Sequence, residues 1–189
     1  MKILENLTIL IDFVGHPAMN EDYLNTRRLD ALNKILRDNE SDNVIVSVGG
    51  APKEDWYFKN KYYERFLEIK KVAHQRKNII WIDVLNDISI EDLAKKLNEL
   101  GFTVDSKYTK VKIGGTNLSG CVLKNKKVSV ANFAQKDYTV KLILPMCAEG
   151  ENTGLNDLEK TWKALSIVYK HLKENNLCHK VDFVYENYI

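Results

Sequence analysis

Cysteine is scarce in this chain, and neither sign of charge is in surplus. Only three cysteines, Cys121, Cys147 and Cys178, occur in 189 residues. The number is odd and no two are spaced as a metal-binding pair. That excludes a disulfide framework and a zinc ribbon, and points to a reducing, cytoplasmic setting. Net charge is +2, from 28 basic and 26 acidic residues, so no strong positive field invites nucleic acid. No apolar run reaches the length that a bilayer span requires. The start, Met1-Lys-Ile-Leu-Glu-Asn, lacks the long apolar region and small-residue cleavage site of a secretory signal. Repeats, low-complexity tracts and linkers are also missing, so one domain over residues 1–189 is expected. What remains is 44% apolar and 29% charged, the balance of a soluble globular protein. Its expected partner is a small molecule rather than nucleic acid or a membrane.

Apolar segments alternate with amphipathic ones. The first strand is expected over residues 7–13, nearly unbroken in apolar character, as suits a strand covered on both faces. Its one charge, Asp12, comes at its end. Gly15-His16-Pro17 breaks it, and Asn20 caps a helix over 21–38 with Leu24, Ala31, Leu32 and Ile35 as its apolar stripe. A second strand, 43–48, closes on Gly49-Gly50. Pro52 suits the first turn of the next helix, where Trp56, Tyr62, Phe66, Ile69 and Ala73 recur at helical intervals. Tyr57, Phe58 and Tyr63 lie off that stripe, which means either a partner surface or pocket wall, or a broad core-facing stripe. A third strand, 78–85, carries Asp83. Ser89 and Asp92 then form a capping pair ahead of Ile90, Leu93, Leu97 and Leu100, and Gly101 ends that helix. A fourth strand, 109–113, leads through Gly114-Gly115 to Cys121. The helix after it bears Leu123, Val130, Ala131 and Ala134 on one side and Lys124, Lys126 and Lys127 on its solvated face. The fifth strand is expected over 138–145, with a surface loop over 149–154. Asn156 caps a last helix that buries Leu158, Trp162, Leu165, Val168 and Leu172. A sixth, edge strand covers 180–185.

This alternation argues for an α/β fold: a doubly wound three-layer α/β/α sandwich around a six-stranded, mostly parallel sheet of order 3-2-1-4-5-6. In that order the reversal falls between the first and fourth strands, where ligands bind at the carboxyl ends. Asp12 and Cys121 would meet there. A thiol opening a helix lies beside unpaired N–H groups and the positive end of the dipole, and both favour thiolate. Plainer readings stand beside these. Cys121 also fits a small buried residue at a strand–helix corner, and Asp12 a turn cap. His16 reads as an alternative base or as a loop histidine. Neither glycine pair forms a Walker A or Gly-x-Gly-x-x-Gly pattern, which leaves a nucleotide site with little support.

Three stretches resemble the isochorismatase-like cysteine hydrolases, the nicotinamidase/isochorismatase family. They are Ile9-Leu-Ile-Asp12, the turn Gly115-Thr-Asn-Leu-Ser-Gly-Cys121-Val122, and Tyr138-Thr-Val leading to Met146-Cys-Ala-Glu149. The resemblance implies a triad of Asp, Lys and Cys, in which Cys121 attacks a carbonyl carbon and Asp12 moves protons. It implies an oxyanion site at the turn of Asn117, Leu118 and Gly120, with a cis peptide joining Asn117 to Leu118. It further implies a homo-oligomer, while His16, Trp56, Tyr57 and Asp83 are read from the residues as candidates for a substrate pocket. The chain departs from the pattern in three places. The family lysine follows the third strand, yet no lysine lies between Lys77 and Lys95. Leu118 replaces a threonine. Metal-binding relatives carry Asp-x-His where this chain has Asp55-Trp56-Tyr57, so neither metal nor other cofactor is expected. Without a nearby cation, Asp12 would hold the thiol protonated. A helix dipole worth about 0.3–1 kcal/mol falls short of the roughly 1.4 kcal/mol that one pKa unit represents. The expected function is cysteine-dependent hydrolysis of a small amide or related carbonyl compound. The alternative is a catalytically inactive member of the fold acting as a binding or assembly module, with the aromatic helix from Trp56 to Phe66 as its contact surface.

Overall fold

A computed structural model describes residues 1–13, 22–38, 41–49, 61–149 and 157–185. The chain runs β1 (Lys2–Ile3), β2 (Asn6–Ile11), α1 (Asp22–Asp38), β3 (Asn43–Val48), α2 (Lys61–His74), β4 (Ile79–Val84) and α3 (Ile90–Glu99). It continues through β5 (Phe102–Thr103), β6 (Lys110–Gly115), a π-helix (Leu118–Asn125), α4 (Val130–Gln135), β7 (Val140–Ile143), α5 (Asp157–Glu174) and β8 (Val181–Val184). Short 3-10 turns cover Leu144–Met146 and Cys178–Lys180.

The main sheet has six strands in the order β4-β3-β2-β6-β7-β8, and every pairing is parallel. Setting aside the two-residue strands β1 and β5, which pair only with each other, this is the expected 3-2-1-4-5-6 arrangement. Side chains alternate between the two faces with the strand period of two. One face packs Leu7, Ile9, Val44, Val46, Val111, Ile113 and Leu142 against α3, the π-helix, α4 and α5. The other packs Leu10, Ile45, Trp81 and Ile143 against α1 and α2. Both faces of the central strands are dry, which explains their unbroken apolar sequences.

Local expectations hold at several points. Ala31, Leu32 and Ile35 are buried on α1, and Phe66, Ile69 and Ala73 on α2. Ser89 caps α3, its side chain accepting the Asp92 N–H at 3.0 Å. Gly101 takes a positive φ of 89° just past the helix end, the conformation glycine adopts most cheaply. Tyr63 and Phe66 of α2 both pack against the core.

Two expectations need correction. The run after β6 is not one helix: a π-helix ends at Asn125, and α4 starts after Ser129. On α5 the expected face holds at Leu165, Val168 and Leu172, which pack against the core, and fails at Trp162. Ala164, Val168 and Leu172, spaced by four, are buried, while Trp162 is 61% exposed. Trp162 lies two residues before Ala164, about 200° around the helix. Asn20, Pro52, Tyr57, Phe58 and Asn156 lie outside the described residues.

Candidate active site

The strand order reverses between β2 and β6, and the candidate site is built on their carboxyl ends. Ile11 of β2 is in register with Gly115 of β6. The strands approach closely here. A Cβ on Gly115 would lie 2.0 Å from the Ile11 carbonyl oxygen, and one on Gly114 would lie 2.5 Å from the Met146 Cβ. The glycine pair therefore serves backbone packing: it lets the β2 end and the Leu144–Met146 turn press against β6.

Asp12 follows β2 directly. Its N–H donates to the Val48 carbonyl at 2.8 Å, which carries the ladder one residue past the strand. Its φ is 43°, in the left-handed region that asparagine and aspartate tolerate better than other side chains. Gly49 makes room for it, because a Cβ there would stand 3.3 Å from the Asp12 Oδ1.

Cys121 arrives from the other side. Asn117 turns the chain in the left-handed region, at φ 61° and ψ 65°. The Gly120 and Val122 amides both donate to its carbonyl, at 3.1 and 3.2 Å, the latter with the wide i to i+5 spacing of a π-turn. Gly120 is small because a Cβ would fall 2.7 Å from the Asn117 Oδ1. The expected cis bond between Asn117 and Leu118 is absent. The described peptide bonds are all trans, and the left-handed Asn117 makes the turn instead. Cys121 does not open the helix, which begins three residues earlier at Leu118. Its thiol is partly exposed and packs against the core on the α5 side.

The cation missing from the sequence pattern comes from an unexpected place. Lys126, at the C-cap of the π-helix, brings its Nζ to 3.5 Å from the Asp12 Oδ2, with 16% of its side chain exposed. The solvated face expected for Lys124, Lys126 and Lys127 holds for the first and last, which are exposed, and fails for Lys126. Burial pushes the Cys121 thiol above its ordinary value, the Asp12 carboxylate adds to this, the Lys126 ammonium opposes it, and Glu149 pushes it up further. The resting sulfur is therefore a protonated thiol beside a carboxylate. This agrees with the expectation that Asp12 holds the thiol protonated, and the thiolate-favouring helix end does not prevail.

The turn amides are already committed. Leu118 donates to the Ala148 carbonyl at 3.1 Å and Gly120 to Asn117. Ser119 gives its N–H to the Glu149 Oε2 at 2.9 Å and its hydroxyl to the Glu149 Oε1 at 2.5 Å. Neither Lys126 nor Glu149 was marked as functional in the sequence. The run Lys124-Asn-Lys-Lys reads as surface, and Glu149 as the first residue of a loop.

Beneath these groups lies Arg28 of α1, 2% exposed. Its Nε donates to the Met146 carbonyl at 3.2 Å and its Nη2 to the Thr116 Oγ1 at 2.9 Å, with the guanidinium 4.5 Å from the Phe13 ring centre. Burial lowers its pKa to about 10, so it stays charged at neutral pH while tying α1 to the exits of β6 and β7. Cys147 nearby is sealed, donating to the Ile143 carbonyl at 3.3 Å, and burial pushes its thiol up to about 12.

The structure brings Asp12, Asn117, Leu118, Gly120 and Cys121 to one rim. Asp83 pairs instead with Lys70 of α2 and accepts from the Trp81 Nε1 at 3.2 Å, on the α2 face. His16, Asp55, Trp56 and Tyr57 lie outside the described residues. Among the described residues no group of three or more His, Cys, Asp or Glu side chains could hold a metal ion.

No protein-family model and no curated protein matches the sequence. Solved structures do match. The pyrazinamidase/nicotinamidase of Streptococcus mutans UA159 is similar with a TM-score of 0.56 at 16% identity, over 94% of this chain and 99% of that one. A nicotinamidase from Staphylococcus aureus is similar with a TM-score of 0.54 at 14% identity, over 89% of this chain and 92% of that one. At such identities the likeness is one of architecture: the chain shares the α/β fold of these two nicotinamidase structures.

Proposed function

We propose that the protein is a cysteine-dependent hydrolase of a small amide or related carbonyl compound. The observation that carries this reading is the meeting of Cys121, Asp12 and Lys126 at the sheet's reversal point, with Asp12 and Lys126 in an ion pair. Because the thiol rests protonated, Asp12 takes its proton as the sulfur attacks the carbonyl carbon. The S–C bond forms and the carbonyl π pair moves to oxygen. Lys126, in its ion pair with Asp12, holds that carboxylate in place for the transfer. Collapse breaks the C–N bond, and the leaving amine takes the proton back from Asp12. Water then attacks the thioester with Asp12 again as base, which releases the acid and returns the thiol.

The test is a panel of small amides assayed for released ammonia or amine, with mass spectrometry of the protein after rapid quench. Turnover should vanish in Cys121→Ala, and the native protein should carry an acyl mass on Cys121. Turnover that survives Cys121→Ala would overturn the reading. One observation favours a second reading, a binding module without turnover: the Leu118, Ser119 and Gly120 amides are all engaged within the protein. That reading expects ligand binding that Cys121→Ala leaves unchanged, with no amine released from any substrate.

A further inference from the structure

We infer that Glu149 makes this site selective for carbonyl substrates that carry a cationic group, such as an ammonium, amidinium or guanidinium, over anionic ones. This rests on the hydrolase reading above and names the substrate class for the same site. Glu149 follows the exit of β7, and its two carboxylate oxygens are each fixed by one donor of Ser119, two residues before the nucleophile. It is partly buried, and its charge is felt at the Cys121 sulfur.

The charge balance then decides the sign. Asp12 is paired with Lys126. Among the described residues Glu149 has no cationic side chain as partner. The start of the π-helix supplies about half an elementary charge, which leaves part of the carboxylate's charge unmatched. Each oxygen uses one of its two acceptor positions on Ser119, so a second donor on each is open to a ligand. A cationic or N–H-rich group placed there gains a charge-assisted hydrogen bond, whereas an anion meets repulsion in a setting less screened than bulk water.

Thiol reagents of different charge read this field without any turnover. The probes are methanethiosulfonates with one reactive group and three tails: methyl, 2-(trimethylammonium)ethyl and 2-sulfonatoethyl. Cys178 is exposed and precedes the edge strand β8, at the amino ends of the strands and so away from the site at their carboxyl ends, and it serves as reference within each sample. In the native protein the cationic-to-anionic rate ratio at Cys121 should fall toward unity as salt rises to about 1 M, where screening acts within about 3 Å. In Glu149→Gln, which keeps an acceptor for Ser119, the ratio at Cys121 should drop about three- to tenfold while that at Cys178 stays fixed. A change in the thiol's own proton affinity alters all three rates together and cancels in the ratio. An unchanged ratio, with Cys121 labelled normally by the methyl reagent, overturns this inference alone. A Cys121 that resists even the methyl reagent overturns the hydrolase reading as well. The salt series needs no variant: a native ratio no greater at Cys121 than at Cys178, at every salt concentration, overturns the inference even if Glu149→Gln fails to fold.

Discussion

Asp12 is held in a conformation that costs energy, and a strained residue at a strand end is the kind of outlier that active sites maintain. Its neighbour Gly49, at φ 151°, has no side chain to crowd the carboxylate. Gly49→Ala should therefore destabilise the protein by about 1–3 kcal/mol in urea unfolding and lower any Cys121-dependent activity by more than stability accounts for. An alanine tolerated with both unchanged would show that the carboxylate does not need this pocket. Asp12 and Cys121 were legible in the sequence because strand ends and strand order place residues without reference to side-chain contacts. Lys126 was not. Its position depends on the π-turn, which changes the angular spacing after Cys121, and no composition signal separates a lysine that swings inward from Lys124 and Lys127, which stay in solvent. Trp162 was misplaced for a related reason: several rotations of an amphipathic helix fit one list of apolar residues, and only the packing of Ala164 and Val168 selects among them.

At the level of elements, the strands were readable and their connections less so. Strands covered on both faces announce themselves as apolar runs. The two-residue pair β1–β5 is too short to leave a periodic signal. The fifth strand stops at Ile143 because Pro145 falls within a 3-10 turn and cannot donate to a ladder. Two substitutions separate a cap from a close approach. Ser89→Ala removes an N-cap acceptor on an exposed helix start and should cost about 1 kcal/mol. Gly115→Ala places a methyl against the Ile11 carbonyl, where only backbone movement relieves it, and should cost about 3 kcal/mol or more. Chemical denaturation of both variants checks the order. Equal losses would mean that the β2–β6 contact yields more readily than its geometry implies.

Over the whole molecule, the parallel sheet with helices on both faces brings residues from opposite halves of the chain to one rim, and the topology alone fixes which end of the sheet that is. Among the described residues no helix is long and apolar enough to cross a membrane. Alkaline stability should reflect the buried thiol at the base of the site. Cys147 holds its proton to about 12 in the folded protein against an ordinary value of 9.0. The folded value is raised, so its contribution is complete below the ordinary value and is lost as pH climbs toward the folded one. The native protein should lose up to about 1.4 kcal/mol more per pH unit across that window than Cys147→Ala does, read from urea midpoints. Parallel losses in the two proteins would remove Cys147 as the cause.

The central claim is that Asp12, Lys126 and Cys121 act as one ionic unit, and the pH dependence of Cys121 alkylation by iodoacetamide tests it most directly. Asp12→Asn removes the carboxylate that holds the proton on sulfur, so the midpoint should move to lower pH than in the native protein. Lys126→Met removes the opposing cation, so the midpoint should move higher, and Lys126→Arg should restore it. Midpoints that stay together in all four proteins would contradict the claim.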